Sequence, residues 1–442
     1  MIQKLRKIIS PTNSLRIFWH LLWGIVSAFF YRFPSKKITI IGVTGTNGKT
    51  TTANLVAKIL EENGNLVALA TTINFQIGEK RWENLTKMTS LGRGGISKFL
   101  RQAVIAKCDY AVLEVSSHAL IQHRFFGVNF DAAILTNITH EHLDFHGTFE
   151  KYRIAKEKLF WNLAHNHKPE SLAILPAEDP ILPHFLRIPE IGIVTFGIKK
   201  GEFHTENLRV HDDSQVFEVV GGKQKFKIKT HLLGNFNIAN ALAAIALTLN
   251  LGVKPMIISQ AFKKIRPIAG RLEPISVGQN FRVIVDFAHT PDALEKLLRT
   301  FRAVTAGKLW LVFGATGDRD RTKRPVMGKI ADRLADEIIL TSDDPFTEDP
   351  VKIIAEVSIG IKRDEGKHFY SNIDRRQAIC FALENASEND TVLIAGKGCE
   401  QFQVIGHRKI PWDDRKISTQ ILRKKFGGIT QKKELPQSRE AR

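Results

Sequence analysis

The chain has 442 residues, of which 43% are hydrophobic and 25% charged, a composition typical of a folded globular protein with two or three domains. Three widely spaced cysteines argue against a disulfide framework and against a zinc site, and they fit a reducing cytoplasm. The net charge of +19 indicates an anionic partner, a nucleotide or an anionic membrane, and the absence of nucleic-acid-binding motifs disfavours DNA and RNA.

Residues 1–36 form a basic, apolar leader. A polar or small residue recurs every three or four positions within it: Arg16, His20, Gly24 and Ser27. This spacing predicts a helix from Ser14 to Phe33 that is apolar except for one narrow polar stripe. The apolar run is short for a membrane span, which needs about 20 residues, and a signal-peptide cleavage site is missing. The helix therefore either packs on the protein body or lies in the membrane interface, at the inner face of the membrane.

Residues 37–269 alternate between strands and helices, which predicts a central α/β domain with a parallel sheet. Its predicted strands are Ile38–Val43, Tyr110–Val115 and Ala132–Leu135, and its predicted helices are Thr50–Asn63 and Asn237–Leu251. Residues 204–230 predict antiparallel strands with a turn at Gly221-Gly222.

A second α/β domain is predicted from 270 to 426. Its strands are expected at Phe281–Asp286, Leu309–Phe313, Glu337–Thr341 and Thr391–Ala395. The polar segment 427–442 is expected to be a disordered tail.

The turn after the first predicted strand has the residues of a phosphate site. It reads Thr44-Gly45-Thr46-Asn47-Gly48-Lys49-Thr50-Thr51 and runs into a helix. Glycines let backbone N–H groups close around an anion, and the start of the helix adds a favourable potential. Lys49 can reach the β- and γ-phosphates of a nucleotide, and the Thr50 hydroxyl can bind Mg²⁺. The spacing departs from the strict Walker A form, but the strand and helix around it predict an ATP loop.

Nine strings along the chain resemble the Mur ligases, which build the peptidoglycan stem peptide. They are GVTGTNGKTTT (42–52), EVSSHALIQHR (114–124), TNITHEHLDFHGTFEKYRIAKEKLF (136–160), LLGNFNIANALAA (232–244), GRLE (270–273), VDFAHTPDAL (285–294), FGATGDRDRTKRPVMG (313–328), TSDDP (341–345) and AGKGCE (395–400). The resemblance covers about residues 37–425 and is strongest to the tripeptide synthetases, which add the third residue. It implies a central P-loop ligase domain, a C-terminal Rossmann-like domain, and amide formation through an acyl phosphate.

The resemblance also implies roles for single residues. The nucleotide contacts would be Gly45, Thr46, Asn47, Gly48, Lys49, Thr50, Thr51, Asn237, Asn240, Arg271, Asp286 and His289. The Mg²⁺ ligands would be Thr50, Glu114, His142 and Lys156, and the catalytic residues Lys49, Lys156 and Arg271. Lys156 lies in a Tyr-x-x-Ala-Lys pattern whose lysine is carbamylated by CO₂ in the family. A carbamate turns a cation into an anionic oxygen ligand, which suits hard Mg²⁺.

Two further sets would bind the small-molecule substrates. The muramoyl-peptide acceptor set is Thr89, Ser90, Ser116, Gln122 and Arg124. The incoming amino acid set is Arg319, Asp343, Asp344, Gly396 and Glu400. A carboxylate such as Glu400 could pair with the distal amine of a diamino acid.

The sequence departs from the family at four places. About 36 residues precede the ATP-loop strand, too few for the family's N-terminal uridine-diphosphate-binding domain. The acceptor motif Asn-Thr-Thr-Pro-Asp is replaced by residues 87–91, KMTSL, and GKGHE reads GKGCE. The arginine of the Asp-Asn/Asp-Pro-Arg signature is Phe346. The departures spare the ATP site and affect both substrate sites.

Three functions stay open on this basis: a tripeptide synthetase acting as a monomer, the same chemistry on another acid such as a lipid-linked precursor or poly-amino-acid, and a non-catalytic nucleotide-binding subunit. Lys49, Glu114 and Lys156 are all present, which favours catalysis. Phe346 removes a two-pronged clamp for a carboxylate, and the Asp343-Asp344 pair adds negative charge. Both favour lysine or a similar diamino acid over meso-diaminopimelate.

Overall fold

The structure is a computed structural model that describes residues 14–86, 88–92, 94–166, 170–211 and 213–426. The chain divides into two compact units, Met1–Arg266 and Pro267–Arg442. Residues 1–13 of the predicted leader and the predicted tail lie outside the described residues. Among the described helices, none has both the length and the apolar character that crossing a membrane requires.

The first unit is built on an eight-stranded sheet in the order β4-β3-β2-β5-β1-β6-β7-β8. Its strands are β1 (Thr39–Thr44), β2 (Val67–Ala70), β3 (Asn74–Ile77), β4 (Lys80–Glu83), β5 (Tyr110–Glu114), β6 (Ala132–Leu135), β7 (Leu172–Pro176) and β8 (Gly192–Phe196). Neighbours pair in parallel except for the antiparallel β2–β3 and β3–β4 pairs. The predicted parallel sheet is confirmed.

Helices lie on both faces of this sheet. Consecutive strand residues such as Ile40 and Ile41 therefore point to opposite faces and belong to different core clusters. The helices of the unit are α1 (Ser14–Phe30), α2 (Lys49–Glu62), α3 (Gly95–Ile105), α4 (Ser117–Ile121), α5 (Leu143–His146), α6 (Phe149–His165), α7 (Leu182–Phe185), α8 (Asn235–Asn250) and α9 (Pro255–Lys264). Helices α2 and α8 pack on one face, and α3 and α6 on the other.

A small antiparallel sheet, in the order β11-β10-β9, contains β9 (His204–Val210), β10 (Gln215–Gly221) and β11 (Gln224–Thr230). The predicted turn at Gly221-Gly222 is wrong by one residue, because Gly221 still pairs with Gln224. The turn residues are Gly222 and Lys223, with φ of 54° and 62°. Two positive φ values match a type I′ hairpin, whose twist fits the flanking strands.

Helix α1 buries its small residues and exposes its large apolar ones, the reverse of an ordinary amphipathic helix. Its small residues Gly24, Ser27 and Ala28 are buried, whereas its large apolar side chains are mostly exposed. A Cβ at Gly24 would lie 2.9 Å from both the carbonyl oxygen of His123 and the Cβ of Phe126. Glycine therefore permits the close packing of this helix on the unit. The helix ends three residues before the predicted Phe33, since the chain turns at Arg32 and Phe33, both with positive φ.

The second unit contains a six-stranded sheet in the order β12-β13-β17-β14-β15-β16, parallel except for β12–β13. The strands are β12 (Glu273–Pro274), β13 (Arg282–Asp286), β14 (Leu309–Phe313), β15 (Glu337–Thr341), β16 (Phe369–Asn372) and β17 (Thr391–Ala395), with a separate hairpin of β18 (Phe402–Ile405) and β19 (Arg408–Pro411). The helices are α10 (Pro291–Arg302), α11 (Lys323–Leu334), α12 (Pro350–Ser358), α13 (Arg375–Asn385) and α14 (Asp414–Phe426). This confirms the predicted α/β class of the second domain.

Candidate active site

The predicted ATP loop connects β1 to α2, at the carboxyl edge of the parallel strands. Gly45 and Gly48 both have positive φ, and a Cβ at either position would overlap a neighbouring side chain, Thr136 or Asn240. Asn137 supports the loop from beside it, because its Oδ1 accepts a hydrogen bond from the Asn47 backbone N–H at 3.1 Å. A side chain at either position would clash with its neighbour, so the loop requires glycine at both.

Asn240 and Asn237 lie next to this loop on helix α8. The Asn240 amide donates to Oδ1 of Asn237 at 3.2 Å, and its own Oδ1 accepts from the Thr52 hydroxyl at 3.3 Å. Both side chains are buried. The structure thus places the two asparagines beside the ATP loop, and their contact with a nucleotide stays a prediction.

Glu114, the last residue of β5, accepts hydrogen bonds from three groups. The Thr50 hydroxyl donates at 2.9 Å, and the backbone N–H and hydroxyl of Thr72 donate at 2.8 and 3.0 Å. The side chain is buried. A carboxylate and a hydroxyl are hard oxygen donors of the kind that Mg²⁺ prefers. Two of the predicted metal ligands are therefore adjacent.

Lys156 lies fully buried on α6, with its Nζ 2.6 Å from the carbonyl oxygen of Gly45. The same nitrogen is 4.6 Å from the centre of the Tyr152 ring. Burial, followed by the nearby charge of Lys49, lowers the pKa of Lys156 well below its usual value. The lysine of the Tyr-x-x-Ala-Lys pattern is thus held beneath the ATP loop with its charged form disfavoured.

His142 lies in a cluster of histidines near Lys156. Its ring is 4.8 Å from that of His118 and 6.0 Å from that of Tyr152, and its Nε2 is 3.7 Å from a carboxylate oxygen of Glu141. Burial lowers the pKa of His118 to about 3. The contacts shown for His142 thus differ from those of Thr50 and Glu114, and its metal role stays a prediction.

The predicted acceptor residues form a continuous hydrogen-bonded chain. The Ser90 hydroxyl donates to the backbone oxygen of Glu114 at 2.9 Å and accepts from the Ser116 N–H at 3.1 Å. Arg124 donates to the Ser90 carbonyl at 2.8 Å and, through Nε, to the Gln122 side chain at 2.9 Å. Thr89 joins the chain through a 3.2 Å contact with Thr72. The proposed acceptor surface is therefore joined directly to Glu114.

In the second unit, the predicted nucleotide residues cluster at the end of β13. Asp286 accepts hydrogen bonds from two backbone N–H groups, those of Leu272 and Ala288, both at 2.8 Å. The Arg271 guanidinium lies over the Phe287 ring, 4.5 Å from its centre. Among the described residues, the buried Nε of Arg271 has no hydrogen-bond partner. His289 follows, with Nδ1 2.8 Å from the Phe287 carbonyl oxygen.

The predicted amino acid site contains a buried cation outside the predicted set, Lys397. Its Nζ donates to Asp344 and to Glu400, both at 2.7 Å, and lies 3.9 Å from Asp343. These carboxylates raise the pKa of Lys397 despite the opposing effect of burial. One ammonium faces three carboxylates, so the extra negative charge expected of Asp343-Asp344 is reduced but not cancelled, and Glu400 already has a cationic partner.

Arg319 and Phe346 lie together at the edge of this site. The Arg319 guanidinium is 5.9 Å from the centre of the Phe346 ring, within cation–π range. Gly396 packs against Asp343, whose buried Oδ2 has no hydrogen-bond partner among the described residues. The structure thus brings all five predicted amino acid contacts into one region of the second unit.

Comparisons with known proteins match both units. Residues 43–248 match the Mur ligase middle domain, and residues 270–398 match the Mur ligase glutamate ligase domain. A relative from Syntrophomonas wolfei, named UDP-N-acetylmuramoyl-L-alanyl-D-glutamate–2,6-diaminopimelate ligase, is 40% identical over 403 residues, 91% of this chain and 82% of the relative. The chain belongs to the Mur ligase family.

A second relative and two solved structures agree with this assignment or share the fold. A relative of the same name from Bacillus licheniformis is 39% identical over 402 residues, covering 90% of this chain and 81% of its own. A solved structure with that name matches with a TM-score of 0.62 and 32% identity, covering 88% of this chain and 79% of its own. Folylpolyglutamate synthase of Mycobacterium tuberculosis complexed with ADP shares the fold, with a TM-score of 0.70 at 17% identity over 88% and 92% of the two chains.

As a Mur ligase, the chain is an ATP-dependent ligase that uses ATP and Mg²⁺. The residues present fit both groups. At the glycines of the turn a side chain would clash with a neighbour, so only backbone lines the turn at these positions. Thr50 and Glu114 supply oxygen ligands for Mg²⁺. The described part of the chain holds no cluster of three or more His, Cys, Asp or Glu side chains that could bind a metal. Proteins hold Mg²⁺ through one or two carboxylates together with substrate phosphates and water, and Glu114 is such a carboxylate.

Several residues at the candidate sites of the two units were missed from the sequence. Thr72 and Asn137 act through contacts to Glu114 and the ATP loop that no local pattern indicates. The sequence did contain an indication of Lys397, since this residue lies between Gly396 and Gly398 in a string that resembles the family. A lysine flanked by two glycines and followed by Glu400 could have been identified as the cation of an ion-pair cluster.

Proposed function

We propose that this Mur ligase adds a diamino acid to UDP-N-acetylmuramoyl-L-alanyl-D-glutamate, the third residue of the peptidoglycan stem peptide. The observation that carries the proposal is the hydrogen-bonded chain Arg124–Ser90–Glu114–Thr50. It joins residues suited to an acceptor carboxylate to residues suited to Mg²⁺ and the ATP phosphates. The names of the Syntrophomonas and Bacillus relatives supply the acceptor.

The reaction has two balanced steps. The acceptor carboxylate attacks the γ-phosphorus of ATP, which gives an acyl phosphate and ADP. The donor amine, in its neutral form, then attacks the acyl carbon, the bond to the phosphate oxygen breaks, and phosphate leaves with the proton that the amine loses as the amide bond forms. Lys49 stabilises the charge that develops on the transferred phosphoryl group, and Arg124 orients the acceptor carboxylate. Thr50 and Glu114 would hold Mg²⁺, which would neutralise negative charge on the phosphate oxygens.

Lys156 is proposed to carry a carbamate. A neutral amine is the nucleophile that CO₂ requires, and burial beside Lys49 favours the neutral form. The product is an anionic oxygen group near Glu114 and the ATP loop. Its role is to bind or orient a second Mg²⁺ that an ammonium would repel.

The donor has two candidates. The names of the relatives favour 2,6-diaminopimelate. Phe346, in place of an arginine, favours lysine, because an apolar ring offers no clamp for a second carboxylate. The acidic pair keeps part of its support for lysine, since Lys397 supplies one ammonium to three carboxylates. Because the relatives carry its name, diaminopimelate is the first candidate and lysine the second.

The test is a ligation assay with the purified full chain, ATP and Mg²⁺. UDP-N-acetylmuramoyl-L-alanyl-D-glutamate is compared with lipid-linked and poly-amino-acid acids, each with meso-diaminopimelate, lysine or ornithine, and product is followed by mass. ADP formation should require both acceptor and donor. Product only with another acid would move the function to that acceptor. ATP binding with no product from any pair would indicate a non-catalytic subunit.

A further inference from the structure

Helix α1 exposes a continuous apolar surface outside the active site. Six of its large side chains are more than half exposed: Leu15 at 76%, Phe18 at 56%, Trp19 at 55%, Val26 at 57%, Phe29 at 66% and Phe30 at 75%. Trp23 lies between them and is 41% exposed. These positions recur at helical spacing, so they form one face. An exposed apolar patch of this kind marks an interaction surface.

The opposite face fixes the helix to the unit. A Cβ at Gly94 would lie 2.8 Å from the Cβ of Ser27, and a Cβ at Gly127 would lie 2.8 Å from that of Ala28. Ser27 also donates a hydrogen bond to the Gly24 carbonyl at 2.9 Å. Glycines on both sides of this contact allow close approach. The fold therefore holds the apolar face outward along a helix of about 25 Å, at 1.5 Å per residue.

The charges around the helix identify what covers this face. Arg32, Lys36 and Lys37 follow the helix and are exposed. The sequence has no acidic residue before Glu61. An exposed aromatic face that is followed along the chain by three exposed cations is complementary to an anionic bilayer, where rings lie at the headgroup level and cations meet lipid phosphates. A neutral apolar groove would not complement these cations, whereas lipid phosphates do.

We propose that α1 docks on the surface of an anionic lipid bilayer. The helix lies in the plane of the interface, with Phe18, Trp19, Val26, Phe29 and Phe30 inserted at the headgroup–acyl boundary. Arg32, Lys36 and Lys37 contact lipid phosphates. The enzyme is thereby held peripherally on the membrane. This property is independent of which acceptor and donor the ligase uses.

The experiment is vesicle flotation of the full chain with phosphatidylcholine alone and with added phosphatidylglycerol. The wild type should bind the anionic vesicles about tenfold or more tightly, and less so as salt rises. The triple variant Phe18→Ser/Val26→Ser/Phe29→Ser should lose binding. A matched control, Ile105→Ser/Met256→Ser/Ile359→Ser, removes exposed apolar side chains elsewhere and should keep it.

Charge and depth are tested separately. Arg32→Glu/Lys36→Glu/Lys37→Glu should abolish the preference for phosphatidylglycerol while circular dichroism stays unchanged. Brominated lipids should quench part of the tryptophan fluorescence, and Trp19→Phe/Trp23→Phe should remove that quenching. Equal vesicle binding by the α1 triple variant and its control would overturn the proposal. So would a dimer that the α1 variant converts to monomer without any vesicle binding, because a second copy would then cover the face.

Discussion

Lys156 Nζ donates a hydrogen bond to the carbonyl oxygen of Gly45 at 2.6 Å, which places a buried amine directly against the ATP loop. The backbone oxygen that accepts this bond belongs to a glycine whose positive φ shapes the turn. A change at Lys156 therefore affects both the charge near the phosphates and the support of the loop. The two effects can be separated by chemical rescue.

Lys156→Ala should lower ligation by at least about a hundredfold, which corresponds to about 2.7 kcal/mol of transition-state stabilisation. A short carboxylic acid in the buffer should partly restore it, because it replaces the anionic oxygens of the carbamate. The matched control is Lys158→Ala, an exposed lysine on the same helix, which should keep wild-type turnover. Wild-type turnover of Lys156→Ala at low CO₂ would show that the carbamate assignment is wrong.

Gly48→Ala tests whether the ATP loop needs its glycine for space. Gly48 and Gly64 have almost the same φ, 87° and 89°, but a Cβ at Gly64 would meet nothing within 4 Å among the described residues. Gly64→Ala should therefore lower the free energy of unfolding only by the strain of a left-handed alanine, about 1–2 kcal/mol, and should leave KM for ATP unchanged. Gly48→Ala should in addition displace Asn240 and lower kcat/KM for ATP at least about a hundredfold. Equal effects of the two variants on ATP kinetics would contradict this.

Much of the fold could be predicted because it rests on local patterns. The strands at Ala132–Leu135, Leu309–Phe313 and Thr391–Ala395 are observed with the predicted bounds, since each is a short apolar run between turn signals. The ATP loop follows from glycine spacing between a strand and a helix. These features depend on residues that are neighbours in sequence.

The features that sequence reasoning missed depend on distant partners. The polar stripe of α1 predicted a helix correctly, but which side is buried is decided by Gly94 and Gly127, which lie far along the chain. The cationic partner of the Asp343-Asp344 pair was missed because Lys397, which supplies the ammonium, lies 53 residues from Asp344. Long-range pairing of charges leaves no periodic signal, so only the fold shows it.

His118 and His146, which lie near Lys156, predict that acid lowers the stability of the folded protein. Burial first, and then neighbouring charge, lower the pKa values of His118 and His146 from 6.5 to about 3 and about 4. The unfolded chain therefore binds more protons than the folded chain between about pH 6.5 and 4, so stability falls as pH falls through this window. From pH 7 to 5 each histidine should remove about 2 kcal/mol from the free energy of unfolding.

The pH effect is measured by urea denaturation at pH 7 and pH 5. His118→Phe keeps a ring against Phe145, whose centre lies 4.0 Å away, but removes one titrating group. It should reduce the loss of stability on acidification by about 2 kcal/mol. His211→Phe, at an exposed position, is the control and should retain the wild-type loss. An unchanged pH dependence in His118→Phe would refute the assignment.

Lys397→Met should destabilise the second unit by about 3–5 kcal/mol, because Asp344 and Glu400 lose a buried cation. It should also raise KM for the amino acid donor. The double variant Asp344→Asn/Lys397→Met should recover part of the stability, since one uncompensated charge is removed. Lys308→Met breaks the more exposed pair with Glu337 and should cost about 1 kcal/mol or less. Similar costs for both lysines would show that burial does not strengthen the Lys397 cluster.

Phe346→Arg tests which donor the site accepts. The Phe346 ring lies 5.9 Å from the Arg319 guanidinium, so an arginine at 346 would place a second planar cation beside the first. Two such groups can each bind a carboxylate through paired hydrogen bonds. Meso-diaminopimelate has two carboxylates and lysine has one. The variant should therefore raise kcat/KM for diaminopimelate relative to lysine by about tenfold, equal to about 1.4 kcal/mol.

The measurement is relative kcat/KM for meso-diaminopimelate, lysine and ornithine with one fixed acceptor. Phe346→Leu is the control, because it keeps an apolar side chain and adds no cation, so it should leave the preference unchanged. A wild-type preference for lysine would show that the apolar ring sets the donor in this chain. A wild-type preference for diaminopimelate would mean that Arg319 binds the second carboxylate unaided. No change in preference for Phe346→Arg would show that this side chain does not line the donor site, and the departure at Phe346 would then carry no information about the amino acid.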